Sequence, residues 1–264
     1  MSKGIVGGVD TKSSNVAISL NSNILDNWYL LDPINQRGIS GIFNTVGNYF
    51  IDRWILADGS VELTDEGLKL NGTIQQRLEN SIEKEVVATA LSTNGLVNAE
   101  YDDTSKTFSI TAEDQTIIAA KLELGSQQSL AYQDEEGAWV LSDLPPNQAL
   151  ELVKCQKYLQ EISLDGVYAV ESHGILDIYV RLMTAMKSSP TTIGTPRLAI
   201  RAVNSSTNIF TTSMVLKDFR ASGLDFYVNP PSGTSFTIGG HYWAWTEGGT
   251  NVKSFSSFLV SCEL

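Results

Sequence analysis

Short runs of alternating apolar and polar residues fill residues 25–144. Alternation with a period of two is typical of strands that bury one face. Runs at 60–63, 68–70 and 74–78 are separated by turn-forming Asp-Glu-Gly at 65–67 and Asn-Gly at 71–72. Further strands are predicted at 86–91, 96–101, 106–111 and 117–124, with a hairpin over 130–141. So many short strands predict a β-meander within a jelly-roll-like domain spanning residues 25–144.

The apolar spacing changes from two to about 3.6 residues after this domain. Asp143 can cap a helix, and Pro145 and Pro146 suit its first turn. We predict a helix over residues 145–161 within a linker helix segment of residues 145–163. We expect its apolar stripe to pack against copies of itself and to form the oligomer interface; the stripe contains Leu150, Val153, Tyr158, Leu159 and Ile162.

Alternation returns after Gly166 and continues to the end of the chain. Seven strands within about 100 residues predict a second β-sandwich, here residues 164–264. Residues 1–24 are rich in Gly, Ser and Asn, which is typical of an extended arm. The predicted fold is therefore all-β, with two sandwiches joined by a short helix. We expect the arm to attach the protein to a particle through its apolar residues, Ile5, Val6, Val9, Val16 and Ile18.

The formal net charge of -12 is unevenly distributed along the chain. Residues 25–150 hold twenty acidic and seven basic residues, whereas residues 151–264 hold nine of each. A negative surface repels phosphate backbones and anionic lipids, which argues against nucleic-acid binding. We expect no membrane insertion and no secretion signal, because no apolar stretch approaches the required length. With only Cys155 and Cys262, the chain fits synthesis in a reducing cytoplasm.

The sequence contains little that indicates catalysis. His173 and His241 are the only histidines, and neither belongs to a recognisable catalytic or metal-binding motif. Neighbouring carboxylates occur at 102–103, 113–114 and 134–136, where solvated turns are favoured over a calcium site or a glycosidase pair. We therefore predict a protein that is not an enzyme and that holds neither a metal nor a cofactor.

The densest aromatic cluster contains His241, Tyr242, Trp243 and Trp245. On a strand the two tryptophans share one face, and Tyr242 lies on the other. The favoured interpretation is that both tryptophans fill the second core, with a ligand platform and a subunit interface as alternatives. For Trp54, beside Arg53, we expect core packing together with an arginine–carboxylate contact.

Several segments resemble, in order and spacing, tail-fibre and head-fibre type structural proteins of tailed bacteriophages and prophages of gut Firmicutes. The resemblance implies a carbohydrate-binding-module-like jelly roll, a short helix and a C-terminal sandwich, but it supplies no catalytic residues. The segments that carry it are Asn-Gln-Arg-Gly at 35–38, Tyr-Phe-Ile-Asp-Arg-Trp at 49–54, Gln-Gln-Arg-Leu-Glu at 75–79, Lys-Leu-Glu-Leu-Gly-Ser at 121–126, Cys-Gln-Lys-Tyr at 155–158 and residues 258–264.

The resemblance implies a virion protein, assembled in the bacterial cytoplasm, that forms a homotrimer and contacts other capsid or tail proteins. The leading hypothesis is a non-enzymatic fibre that binds host-surface carbohydrate through many weak sites. Tyr242, Trp243, Trp245 and His241 are its candidate ligand-binding residues. The alternative is a purely structural decoration or adaptor protein, and a depolymerase or hydrolase accessory module is a third.

Overall fold

The computed structural model describes residues 22–169, 174–220, 222–250 and 257–263, and within these ranges it is all-β with one short helix. This confirms the predicted fold class. The predicted attachment residues Ile5, Val6, Val9, Val16 and Ile18 lie outside the described residues, as does His173.

The first domain contains nine strands: β1 (Gly41–Phe43), β2 (Tyr49–Ile51), β3 (Trp54–Thr64), β4 (Gly67–Arg77), β5 (Val86–Ser92), β6 (Gly95–Asp102), β7 (Thr107–Leu124), β8 (Ala131–Gln133) and β9 (Trp139–Leu141). Seven of them form one antiparallel sheet in the order β1-β3-β4-β7-β5-β6, with β2 beside β3. Strands β8 and β9 form the predicted hairpin. The buried apolar side chains of this domain, Ile55 excepted, form one core cluster.

Two predicted interruptions of the first sheet are wrong, because the strands continue through them. Asn-Gly at 71–72 lies inside β4, and Glu-Asp at 113–114 lies inside the eighteen-residue β7. Gly72 has φ 137°, and a Cβ there would lie 2.2 Å from the Asp58 carbonyl oxygen. Asp114 also has positive φ, and the β4–β7 register shifts between Leu70 and Gly72. These residues form bulges, which bend strands without ending them.

Residues at the start of the described chain belong to the first domain. The backbone N–H of Ile24 donates to Leu122 at 2.9 Å, and the Asn23 side-chain amide donates to Ala120 at 2.8 Å. Leu25 and Leu30 are buried in the core. The predicted arm of residues 1–24 therefore extends too far, because its last residues pair with β7.

The predicted helix is too long at both ends. Helix α1 spans Gln148–Cys155, and Asn147 caps it by accepting hydrogen bonds from two backbone N–H groups. Residues 159–163 are instead a strand that pairs along its whole length with the last strand of the chain. Tertiary strand pairing thus overrides the helical spacing. In the described part of the chain, no helix is long and apolar enough to cross a membrane.

Because the helix is shorter than predicted, the residues of the predicted oligomer interface fall into two groups. Tyr158, Leu159 and Ile162 are buried within the chain, with Ile162 in the second core and Tyr158 against Arg53. Leu150 and Val153 lie on α1 and are 65% and 45% exposed. Only these two residues of the stripe present apolar surface outward.

The second domain begins at Leu159, five residues earlier than predicted. Its strands form three antiparallel sheets, β10-β19-β13, β11-β18-β14-β15 and β12-β17-β16, around one apolar core. The strands are β10 (Leu159–Ser163), β11 (Asp165–Ala169), β12 (Leu176–Arg181), β13 (Thr191–Ile193), β14 (Thr195–Ala202), β15 (Ile209–Thr211), β16 (Met214–Arg220), β17 (Gly223–Val228), β18 (His241–Thr250) and β19 (Ser257–Ser261).

Polar contacts around Arg53 join the two domains. Its side chain is 2% exposed, lies 3.4 Å from the Asp26 carboxylate and stacks over the Tyr158 ring, 3.6 Å from the centroid. The Arg53 backbone N–H donates to the Glu263 carboxylate at 2.8 Å. Trp54 is fully buried in the first core. The expected core packing of Trp54 and the arginine–carboxylate contact are both confirmed.

Further contacts extend this domain junction. The Glu79 carboxylate accepts hydrogen bonds from the Tyr158 hydroxyl and, at 2.6 Å, from the Lys187 ammonium group. Gln36 donates to the Leu159 carbonyl at 2.9 Å. Side chains from both domains therefore share one hydrogen-bonded network, so the second domain is held by more than its covalent link.

Candidate ligand-binding face

Side chains of β18 alternate between the core and the outer face of the sheet. Tyr242 and Ala244 are 5% and 0% exposed and belong to the second core. Trp243 is 40% exposed, and Trp245 is partly buried. The two tryptophans share a face, as predicted from their spacing. That face points outward, so the expectation that both tryptophans fill the core is wrong.

The two remaining candidate residues of this cluster have different surroundings. Tyr242 packs on Phe236 with ring centroids 5.2 Å apart, and its hydroxyl oxygen accepts a hydrogen bond from the Thr237 backbone N–H at 2.9 Å. His241 is exposed at the start of β18. The structure thus brings Trp243 and Trp245 together on one surface and places Tyr242 beneath the sheet.

Cross-strand pairing adds a third aromatic residue to this surface. Ala199 of β14 lies opposite both Trp245 of β18 and Phe210 of β15. Residues directly opposite each other in an antiparallel sheet point to the same face. Phe210 is 39% exposed, whereas Ala199 is fully buried. Two aromatic side chains therefore flank a small residue, about 10 Å apart across two strand spacings.

Two arginines of β14 stack on these rings. The guanidinium carbon of Arg197 lies 4.3 Å from the Phe210 centroid, and that of Arg201 lies 5.6 Å from the Trp245 centroid. Stacking on a ring leaves the N–H groups in the guanidinium plane free to donate. We call the surface formed by Arg197, Arg201, Phe210, Trp243 and Trp245 the aromatic face.

A groove of about 410 Å³ opens beside Phe210 and Arg197. Its other walls are two loops that hydrogen-bond to each other. The backbone N–H of Asn229 donates to the Ser213 carbonyl at 3.2 Å. The Thr211 hydroxyl donates to the Asn229 carbonyl at 3.3 Å. The remaining lining residues are Thr212, Pro230, Pro231 and Ser232. The groove thus offers hydroxyl groups next to an aromatic ring.

Sequence reasoning missed three residues of the aromatic face, namely Phe210, Arg197 and Arg201. The two arginines stand four residues apart in Arg-Leu-Ala-Ile-Arg, which alternates charged or small residues with large apolar ones. That alternation places both arginines on the outer face of a half-buried strand. Whether the two arginines lie on the same surface as Trp243 depends on strand pairing, which the sequence does not display.

The carboxylates at 102–103 and 134–136 lie at turns, in agreement with the solvated-turn interpretation, whereas those at 113–114 lie within β7. Asp102 accepts hydrogen bonds from Ser105 Oγ at 2.7 Å and from the Thr104 backbone N–H at 3.0 Å. The hydrogen bond from Ser105 is the main reason that the pKa of Asp102 lies below its ordinary value. Asp114 forms an exposed ion pair with Lys69 at 3.1 Å. Within the described ranges, no group of three His, Cys, Asp or Glu side chains could hold a metal ion.

The fold and this surface define an all-β protein whose second domain carries an exposed, arginine-bearing aromatic face. Comparisons of the chain with protein-family models, with curated proteins and with solved structures find no match.

Proposed function

We propose that the protein is a non-enzymatic bacteriophage virion fibre that binds host-surface carbohydrate through the aromatic face. The observation that carries this proposal is the outward position of Trp243 beside the partly exposed rings of Trp245 and Phe210. Sugar rings place their apolar C–H faces on aromatic rings, and their hydroxyl groups pair with nearby polar groups. The aromatic face and the adjoining groove supply both kinds of contact.

A shallow face of this kind suits weak binding at each site. Trp243 exposes 40% of its surface, so a bound sugar would remain partly in solvent. Several identical copies on one particle raise the overall affinity without any new contact. The virion setting, the homotrimer and attachment through residues 1–24 are parts of the proposal that rest on the resemblance to phage fibre proteins.

A purely structural decoration or adaptor protein is the second candidate. The buried, hydrogen-bonded domain junction favours it, because a rigid connection between two β-domains also suits a spacer that binds no sugar. The two candidates differ in what they expect of the aromatic face. A fibre uses its rings for binding, whereas a spacer does not.

Two variants with equally exposed aromatics test the proposal. Trp243→Ala removes a ring of the aromatic face, and Tyr179→Ala removes a ring that is 43% exposed on the β12-β17-β16 sheet. Binding of each purified protein to host cells and to their extracted surface polysaccharide is measured by fluorescence. We expect Trp243→Ala alone to reduce binding, by about 1–3 kcal/mol per stacked ring.

Incorporation into particles is measured in parallel, with immunogold labelling of intact virions. Labelled virions together with loss of cell binding in Trp243→Ala would support a carbohydrate-binding fibre. Labelled virions whose wild-type protein binds no surface polysaccharide would identify the structural candidate instead. Absence of the protein from purified virions would refute the virion assignment.

A further inference from the structure

We infer that a cavity at the domain junction binds a neutral, polyhydroxylated small molecule, such as a monosaccharide or a linear polyol. This junction cavity has a volume of about 400 Å³, within the range of about 300–1,000 Å³ that is typical of small-molecule sites. Residues of both domains form its walls. The cavity shares no residue with the aromatic face, so the inference does not depend on the proposed function.

The strongest indication of a ligand is the incomplete hydrogen bonding of Arg53, which forms part of the cavity wall. Its side chain is 2% exposed, and its Nη2 donates to the Arg77 carbonyl. Among the described residues, Nε and Nη1 of Arg53 have no hydrogen-bond acceptor, although the Asp26 carboxylate lies 3.4 Å from Nε. Buried donors in folded proteins are nearly always paired, because an unpaired one costs free energy. An oxygen atom of a ligand at this wall would satisfy Nη1.

The charged side chains of the junction cavity already form ion pairs with each other. The Lys187 ammonium group lies 2.6 Å from the Glu79 carboxylate, and Arg53 pairs with Asp26. The remaining charged residue of the lining, Lys157, is exposed, so water and salt screen its charge. A ligand therefore needs no net charge, and a charged ligand would be repelled by one member of each pair.

The lining offers hydrogen-bond donors and acceptors next to apolar side chains. The carboxylates of the two ion pairs can accept hydrogen bonds, and the ammonium group of Lys157 can donate them. Each hydroxyl group of a sugar or polyol both donates and accepts, so it fits such a mixed surface. Ile24, Leu78 and Ile82 line the same cavity and can pack on C–H groups. A neutral polyol therefore matches the lining better than an apolar or an ionic ligand does.

A molecule in the junction cavity would contact both domains at once. Asn80 of the first domain and Lys187 of the second both line the cavity. Only the folded protein with its domains joined presents this lining. Binding therefore stabilises the junction and raises the unfolding temperature.

The experiment measures binding of small neutral and charged probes to the full-length protein by saturation-transfer difference NMR. The neutral probes are glucose, galactose, N-acetylglucosamine and sorbitol, and the charged counterparts are glucuronic acid and glucosamine. We expect at least one neutral probe to bind with a dissociation constant on the order of 1 mM, as expected for a ligand of about twelve non-hydrogen atoms. The same probe should raise the Tm at saturating concentration. Both charged counterparts should bind more weakly than that probe.

Variants locate the binding in the junction cavity. Ser81 is exposed and lines the cavity, so Ser81→Trp should fill the cavity and abolish binding. The matched control is Ser206→Trp, which places the same ring on an exposed loop of the second domain. Lys157→Ala should weaken binding about tenfold, because it removes a charged donor. Lys84→Ala removes an exposed lysine outside the lining and should bind like the wild-type protein. Circular dichroism checks that each variant is folded.

The outcomes distinguish the junction cavity from the aromatic face. Binding that is lost in Ser81→Trp but persists in Trp243→Ala would support the inference, whatever the aromatic face binds. Binding that survives in Ser81→Trp, or failure of every neutral probe to bind, would overturn the inference and leave the proposed function untouched. Tighter binding of glucuronic acid or glucosamine than of the neutral probes would overturn it in favour of a charged ligand.

Discussion

Replacing Arg53 with Met should weaken the connection between the two domains, because Arg53 stacks on Tyr158 at the junction. The guanidinium group of Arg53 contacts Asp26 and the ring of Tyr158 and donates to the Arg77 carbonyl at 2.8 Å. Met keeps most of the side-chain length without the charge. Arg53 has φ 71°, and Met would face the same backbone restriction, so the substitution isolates the loss of the side-chain contacts.

The expected loss follows from these contacts. A desolvated cation–π contact contributes about 2 kcal/mol, and a hydrogen bond from a charged group contributes about 1.5–3 kcal/mol. The Asp26 carboxylate loses its ion-pair partner in a largely buried site. Burial already raises the pKa of Asp26 above its ordinary value, against the opposing effect of Arg53, so removing Arg53 raises it further. Because these effects are not additive, we expect a loss of about 3–5 kcal/mol in the free energy of unfolding.

Differential scanning calorimetry measures this loss and shows whether the domains still unfold together. We expect the wild-type protein to give a single transition. Arg53→Met should lower the first Tm by about 10 °C and separate the two domains into distinct transitions. The control is Arg77→Met, because the Arg77 side chain is exposed. A shift in Arg53→Met no larger than in Arg77→Met would refute the argument that buried polar contacts couple the domains.

Three further substitutions test the fold. Lys121→Met leaves the carboxylates of Glu123 and Asp143 without their shared cation in a buried site, so urea denaturation should show a loss of about 3–5 kcal/mol. Lys69→Met removes an exposed ion pair and should cost less than about 1 kcal/mol; equal losses would contradict the role of burial. Gly72→Ala places a Cβ 2.2 Å from a carbonyl oxygen of β3, so it should lower the free energy of unfolding more than Gly137→Ala does. Gly137 also has positive φ, but a Cβ there meets open space. Equal losses would contradict the close approach at Gly72. Burial raises the pKa of Glu79, but hydrogen bonds from a lysine and a tyrosine bring it below its ordinary 4.5. The contribution of the Glu79 carboxylate to stability is therefore present above pH 4.5 and lost as the pH falls further. Thermal melts should show that the Tm falls more steeply with acid in the wild-type protein than in Glu79→Gln.

Local sequence patterns predicted the parts of the fold that depend on neighbouring residues. The β8–β9 hairpin follows from alternation on both sides of a turn in which Asp134 accepts hydrogen bonds from two backbone N–H groups. The shared face of Trp243 and Trp245 follows from strand geometry alone. The contact between Arg53 and a carboxylate was predicted because a charge beside a core tryptophan needs a partner.

Other features depend on pairing between distant segments, which local patterns do not contain. The Asn-Gly sequence at 71–72 is typical of a hairpin turn, but Gly72 lies in a strand between β3 and β7. Leu159 and Ile162 fit a helical stripe, yet they belong to a strand paired with β19, about 100 residues later in the chain. Phe210 joins the aromatic face only because β15 pairs with β14. In each case the residue pattern permits two structures, and tertiary pairing selects one.

The domain junction gives the aromatic face a fixed direction. Strands β10 and β19 are antiparallel neighbours in which Leu159 lies opposite Ser261, so the beginning and the end of the second domain meet at one edge. Both ends are held by the first domain there, through Gln36 on Leu159 and through Arg53 on Glu263. A domain fixed at two chain positions loses less orientational freedom when it binds. In the fibre that we propose, copies would therefore present their aromatic faces in a constant geometry, which is the condition under which weak sites combine into strong attachment.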